Sequence, residues 1–388
     1  MPELPERNAV NEFGRVNKVA LRMLKARVLL WSASPLFNPE DNQSYYPSFN
    51  KQELIKHETY DKNRWQEAAD ACLEAINAAH GAGYALYTKY GDPVKDYKAA
   101  VTEFPDIDAN GTAKGNPEII WGTRPADSYA SETYQSGSRV TIWSTLKQLR
   151  GTVGTYLIPL QNMVDKYELR DGSDQPSDYW ETTSDPYNNL DRRFNATIYH
   201  HGYKLGKTVG PFTLDMRMEP AGDQYPAGAQ NFTGYYLAKF FDDDYIAGAG
   251  NYPQAFWPYM RLSDLYLMYA EALNEVDYAS NSGEILHYVN LVRNRAGQPN
   301  LEDKPGFQAT QAYVRECIRK ERIVELCYED QIYFDYKRWK VGDKYIGGNM
   351  YGMKIPAIWR IRLSRSSFTR RAYGRRSGIC SRSIRRMF

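Results

Sequence analysis

Carboxylates, imidazoles and aromatic rings are the side chains of this sequence that could do chemistry, and their spacing decides which chemistry. Asp242, Asp243 and Asp244 are contiguous. Their side chains diverge, so a solvated turn fits them better than the facing pair of acids that glycoside hydrolysis needs. His200 and His201 are neighbours; on an extended backbone they point to opposite faces and make a poor metal pair. Asp106, Asp108, Asn110 and Gly111 open like a calcium-binding EF-hand loop, but the position of the bidentate Glu holds Pro117, with Glu118 one place late. That register spoils the cage, and an ordinary Asp/Asn/Gly turn is expected. No HExxH, GxSxG or phosphate-loop pattern occurs. Cys72, Cys317 and Cys327 sit in apolar helical patterns and are expected to be packed, free thiols. These residues predict no enzyme, no metal site and no cofactor.

Binding chemistry is better supplied. Aromatic residues make up 14% of the chain, and 32 of them are Tyr. A glycan site needs flat rings that stack on the apolar faces of sugars, with Asn, Asp, Arg or Gln beside them for the hydroxyls. Three segments offer this. DGSDQPSDYWETTSDPYNN carries Tyr179, Trp180, Tyr187 and Asn188; GTRPADSYASETYQSGSRVTIW carries Arg124, Tyr129, Tyr134 and Trp143; Tyr45 and Tyr46 form the third. Each ring has a competing reading as part of a small core that anchors its own loop.

The elements that must position these loops read as helices. Val16, Val19, Ala20, Met23, Arg27 and Leu30 share one face of a predicted helix from about Asn11 to Ser32, which stops before Pro35. Arg64 to Ala79 repeats Trp65, Ala68, Ala69, Cys72, Ala75 and Ile76 at helical period and ends in a Gly81-Ala82-Gly83 cap signal. This segment looks like one arm of a tetratricopeptide hairpin, although the full repeat does not recur. Leu262, Leu265, Tyr266, Tyr269, Leu273 and Val276 predict a helix across Pro258 to Glu275, and Arg315 to Arg338 a charged one. In the latter, Glu316 can reach Arg319 and Lys320, and Arg322 can reach Glu325, which reads as a salt-bridged surface rather than a nucleic-acid face. Arg338 is expected to pair with an acid and Trp339 to pack. Between about 91 and 250 the periodicity fades into Gly, Pro, Asp, Asn, Ser and Tyr, which reads as loop-rich functional ground.

The net charge of +2 hides a division. Arg360 to Phe388 holds ten Arg and no Lys, Asp or Glu, so the remainder carries 39 basic against 47 acidic residues, a charge of −8. An abrupt switch from mixed Lys and Arg to Arg and Ser alone is read as a change of reading frame near Pro356, not as a basic tail for an acidic partner. No run of about 18 apolar residues predicts a membrane-spanning helix. The start, MPELPERNAV, has no basic-then-apolar signal.

In order along the chain, PLQNMVDKYELRDG, LDRRFNATIYHHG, TGYYLAKFF, RLSDLYLMYAEALNE, VNLVRNRAG and RKERIVELCYEDQIYFDYKRW resemble the SusD/RagB family of nutrient-binding surface lipoproteins. The resemblance runs from about Phe13 to Pro356. It implies a mainly α fold: a SusD-like, tetratricopeptide-type helical scaffold with long loop-rich insertions. The implied organisation is one domain over 1–356, with scaffold at 11–90, a ligand region at 91–250 and scaffold helices at 251–340, followed by a non-family tail at 357–388. It further implies a non-catalytic protein that captures oligosaccharides at the outer face of the outer membrane and passes them to a SusC-like TonB-dependent transporter. The lipid anchor of that family is expected to lie in an amino-terminal part not seen here. The other readings left open are a peptide-binding relative, a helical-repeat adaptor for protein partners, and a glycosidase. Nucleic acid is not an expected partner. The family's ligand site is built from variable loops, so no binding residue carries over by motif.

Overall fold

The protein is described from a computed structural model, which covers residues 3–9, 12–41, 48–103, 106–107, 113–114, 116–123, 157–205, 212–217, 231, 233–240, 257–355 and 364–368. Among the described residues, four long helical units make its frame. Helix α1, Lys18–Ala33, is capped by the Asn17 side chain, which accepts from the Ala20 amide; the predicted start at Asn11 was seven residues early. Helix α2, Asn63–Gly81, matches its predicted span to within two residues and buries the stripe read from the sequence. Its alanines, Ala68, Ala75 and Ala79, are wholly buried and let neighbouring helices approach closely.

Shorter pieces follow: α3 (Pro93–Thr102), α4 (Gln161–Val164), α5 (Tyr179–Thr182) and α6 (Arg192–Thr197). The paired strands are β1 (Asp106–Ile107) with β2 (Ala113–Lys114), β3 (Ile119–Thr123) with β8 (Trp257–Arg261), β4 (Ile198–Tyr199) with β7 (Tyr236–Leu237), β5 (Lys204–Leu205) with β6 (Phe212–Thr213), and β9 (Met350–Lys354) with β10 (Ser364–Phe368). Pro258 to Arg261, expected to be helical, is strand β8; Pro258 supplies no amide for a helix, and the helix begins at Leu262.

Helix α7, Leu262–Arg295, breaks at Asp277, whose backbone is extended. The Asp277 carboxylate accepts from the Ala279 amide at 3.0 Å and the Ser280 hydroxyl at 2.7 Å, so it caps the second half as a separate helix. Helices α8 (Gln311–Glu325), α9 (Gln331–Arg338) and α10 (Gly342–Tyr345) complete the set among the described residues. The single charged helix expected from Arg315 to Arg338 is thus two, split by a turn in which Tyr328 and Asp330 take positive φ, 65° and 62°.

Helix α1 packs on α2, α2 on α7 and α7 on α8, the neighbour-on-neighbour stacking of a helical-repeat scaffold. One hydrophobic core fills this stack. A second, aromatic-rich core lies around α5, α6, β4 and β7, and includes Tyr167, Trp180, Phe194, Tyr199 and Tyr235.

Candidate functional site

The first predicted ring cluster folds inward. Tyr179, Trp180 and Tyr187 are only 4%, 1% and 6% exposed. Trp180 meets Tyr179 edge-on at 5.4 Å, and Tyr187 stacks on His200 at 4.0 Å, so the faces a sugar would need are covered by other rings. The Tyr179 hydroxyl is spent on the Pro186 carbonyl at 2.6 Å. The competing reading, a small core anchoring its own loop, therefore describes these three residues, while Asn188 beside them is exposed. Arg124, Tyr129, Tyr134, Trp143, Tyr45 and Tyr46 lie outside the described residues.

An aromatic pair that the sequence did not single out lies on the β3–β8 ribbon. Trp121 and Tyr259 face each other with ring centroids 4.9 Å apart and planes at 36°, and Tyr259 is 37% exposed. On β8 it is the outward residue between buried Pro258 and Met260, the alternation of a half-buried strand. That alternation in WPYMR was the available signal, hidden by extending the following helix through it. The pair is held from several sides: Trp121 Nε1 donates to the Gly14 carbonyl at 2.9 Å, and Arg27 Nη2 donates to the Tyr259 carbonyl at 3.1 Å. Strand β3 runs directly into the Arg124–Trp143 segment, and β8 follows the segment that holds Asp242–Asp244.

What fixes this ribbon is charge buried beneath it. Arg261, at the end of β8, contacts Glu118 just before β3 at 2.5 Å, Glu325 on α8 at 3.1 Å and Glu329 at 2.7 Å. Arg295, from α7, also reaches Glu118, at 2.7 Å, and Glu325. Arg193 on α6 joins Asp191, Glu321 and Glu325 at 2.7, 2.5 and 3.1 Å. Lys239, with no exposed surface, binds Glu329 at 2.6 Å and receives support from Tyr97 and two backbone carbonyls. Burial alone would raise the Glu325 carboxyl, but the guanidiniums of Arg295, Arg261 and Arg193 overcome it and hold the group well below the usual range. Glu321, Arg322 and Glu325 on α8 are thus interior, which corrects the salt-bridged surface expected there for that face of the helix. Arg322 pairs not with Glu325 but with Asp264 and Asp335, each at 2.9 Å. Glu316 does reach Arg319, at 3.0 Å, whereas Lys320 goes to Asp174. Arg338 meets Glu271 at 2.5 Å and Asp335 at 2.7 Å, and buried Trp339 donates to Glu271 at 2.6 Å, as the sequence led one to expect.

Two hollows lie elsewhere on the helical stack. One, of about 510 Å³, is apolar and runs between α1 and residues 53–57, with Leu24, Val28, Trp31 and Leu54 along it. The other, of about 520 Å³, is polar and lies among the ends of α1 and α2, α7 and α8. Among the described residues no group of three or more His, Cys, Asp or Glu is arranged to hold a metal ion. Glu118, the displaced acid of the calcium-like loop, is committed to Arg261 and Arg295. His200 and His201 have separate surroundings: His200 lies among Tyr187, Phe194 and Tyr203, while His201 Nδ1 is 3.8 Å from Asp215. Burial pushes the His200 pKa down to about 4, leaving a neutral ring at neutral pH.

A model of the SusD family matches residues 117–371, more than half of the 388 residues and past the boundary read near Pro356. A curated relative, SusD-like protein P2 of Formosa agariphila, is 32% identical over 118 residues, covering 29% of this chain and 23% of its own. The crystal structure of a SusD-like protein from Bacteroides fragilis superposes with a TM-score of 0.68 at 23% identity, covering 95% of this chain and 62% of that one. A crystal structure with a xylogluco-oligosaccharide superposes with a TM-score of 0.53 at 19% identity, covering 89% of this chain and 54% of the other. This chain therefore spans about a quarter of the curated relative and less than two thirds of either of these solved structures. With the helical scaffold shared across those structures and the family match beginning at the foot of the aromatic ribbon, this chain belongs to the SusD family.

Proposed function

We propose that this protein captures oligosaccharides without transforming them. The observation that carries the reading is the Trp121–Tyr259 pair, in which exposed Tyr259 lies against partly buried Trp121, held on a ribbon clamped by buried Arg261, where the chain enters an aromatic-rich segment. Such a pair offers an apolar surface to the hydrophobic face of a sugar ring, and a rigid one loses little entropy on binding. Family membership supports the same reading, as does the oligosaccharide complex of a structural relative. Arg124, Tyr129, Tyr134 and Trp143, on the segment leaving β3, and Tyr45, Tyr46 and Asn188 are proposed to complete the contacts. The bound glycan is then handed to a SusC-like, TonB-dependent transporter at the outer face of the outer membrane, with the helical stack as the docking side. Transfer needs only different affinities in the open and closed arrangements, with no covalent step.

The test is calorimetric titration with plant, starch and host oligosaccharides, repeated with Trp121→Ala and Tyr259→Ala. The reading expects one class of glycan to bind saturably and each substitution to weaken it about fivefold or more. Binding of peptides in place of glycans would move the protein to the peptide-binding branch of the family, and release of reducing sugar would make it an enzyme.

A further inference from the structure

Lys166 differs from the lysines around it in having no acid to hold it. It lies just after α4, where its amide donates to the Met163 carbonyl at 3.0 Å. The next residue, Tyr167, is wholly buried against Phe194, so the stem is anchored and the side chain is half-buried. The Lys166 ammonium stands 4.7 Å over the centre of the Tyr345 ring on α10, and Tyr336 of α9 stacks on that ring at 4.9 Å with planes 5° apart. Lys344 shares the ring at 5.0 Å but also has Glu316 at 2.6 Å. Lys320 on α8 is paired with Asp174, and Lys304 with Glu168 and Asp174. Among the described residues Lys166 has no such ion pair. Its neighbour Asp165 accepts instead from the Gln161 side-chain amide at 2.8 Å. A ring attracts an ammonium more weakly than a carboxylate does.

We infer that Lys166 is a covalent-modification site whose amine condenses reversibly with small aldehydes, the open-chain form of a reducing sugar among them. The reaction needs a neutral amine, and a lysine is activated for it by desolvation or by neighbouring cations. Lys166 has both. Burial, with Lys320 and Lys344 nearby, pushes its pKa below the usual lysine value against the pull of Asp165. The carboxylates of Glu103 and Glu316 push Lys89 and Lys344 the other way. In the reaction the Nζ lone pair attacks the carbonyl carbon, forming the C–N bond, and a proton passes from nitrogen to oxygen. The carbinolamine then loses its hydroxyl with the remaining N–H proton as water, leaving an imine. Nothing is oxidised or reduced. The chemistry is separate from the ribbon and stands or falls independently of glycan capture.

The experiment incubates the intact protein at neutral pH with limiting glyceraldehyde, traps the imine with cyanoborohydride and reads the modified fraction at each lysine by peptide mass spectrometry. Lys166 is expected to be modified about threefold or more above Lys51, Lys62 and Lys95, although those three are fully open to solvent. Lys344→Met, at an exposed position, removes a repelling charge and releases Glu316, and should slow Lys166 about threefold. Asp165→Asn keeps an oxygen for Gln161 and should speed it by about as much. With propanal and no reductant, dilution should return the unmodified mass. Modification of Lys166 no greater than that of the exposed lysines would overturn the inference. So would a rate that either variant leaves unchanged, since exposure alone would then account for the labelling, or a propanal adduct that survives dilution.

Discussion

Replacing Glu325 by Gln removes one negative charge from a position where three guanidiniums converge. Glu325 is wholly buried, and its contacts are Arg261 and Arg193, both at 3.1 Å, and Arg295. The amide fills the same volume, so packing is unchanged and the effect isolates charge. Removing one member of a buried ion pair typically costs about 3–5 kcal/mol, because the remaining charge stays desolvated without its partner. For a chain of 388 residues, unfolding entropy of about 2 cal/mol/K per residue gives roughly 0.8 kcal/mol/K, so the expected loss in Tm is about 4–6 °C. Thermal melts followed by tryptophan fluorescence measure it, and urea melts give the matching loss in free energy. Glu316→Gln is the control: its side chain is 43% exposed beside Arg319, and such pairs contribute at most about 1 kcal/mol. The pH dependence follows from the same geometry. The folded-state pKa of Glu325 is depressed, so its contribution is fully present above the unfolded carboxylate pKa and is lost as pH falls below about 4.5 toward the folded value. If Glu325→Gln lies within about 1 kcal/mol of wild type at pH 7, the network does not hold the ribbon as argued.

Other perturbations have equally definite outcomes. His200 is neutral in the fold, with its pKa pushed down to about 4, while the unfolded chain takes up a proton near pH 6.5. Stability should therefore be highest above about pH 6.5 and fall by up to roughly 3 kcal/mol as pH drops to 4; His200→Phe should flatten that part of a Tm–pH profile. Gly297 has φ +71°, and an added Cβ would lie 2.9 Å from Pro93 and 2.8 Å from Arg192. Gly297→Ala should cost about 1–3 kcal/mol in a denaturant melt. Ala75 is wholly buried in the α1–α2–α7 core, and Ala75→Leu should cost about 1–3 kcal/mol by overpacking, read by the same melt.

The scaffold was legible in the sequence where one helix face is apolar and the other polar, as in α2, and the charges that mattered were visible as residues. Their partners were not. Counting three and four residues along α8 pairs Arg322 with Glu325, but that rule describes isolated helices in water. In the fold, one face of α8 is enclosed, and the charges on that face turn to other elements: Arg322 to α7 and α9, and Glu325 to α6, β8 and α7. The break after Glu325 was equally hidden, because positive φ at Tyr328 and Asp330 has no Gly to announce it. Tyr179, Trp180 and Tyr187 had the composition of a sugar platform, yet burial depends on what Phe194, His200 and Tyr235 bring from later in the chain. Local sequence carries no record of that convergence. Tyr259 was readable by strand alternation once Pro258 was allowed to stop the helix.

The most direct measurement of glycan capture is a titration of the folded protein with xylogluco-, malto- and host-type oligosaccharides, with reducing ends assayed in the same samples. The account predicts saturable heat with at least one glycan, weakening by about fivefold or more in Tyr259→Ala, and no new reducing ends. No heat with any glycan from a protein that melts cooperatively, or a rise in reducing ends, would contradict it.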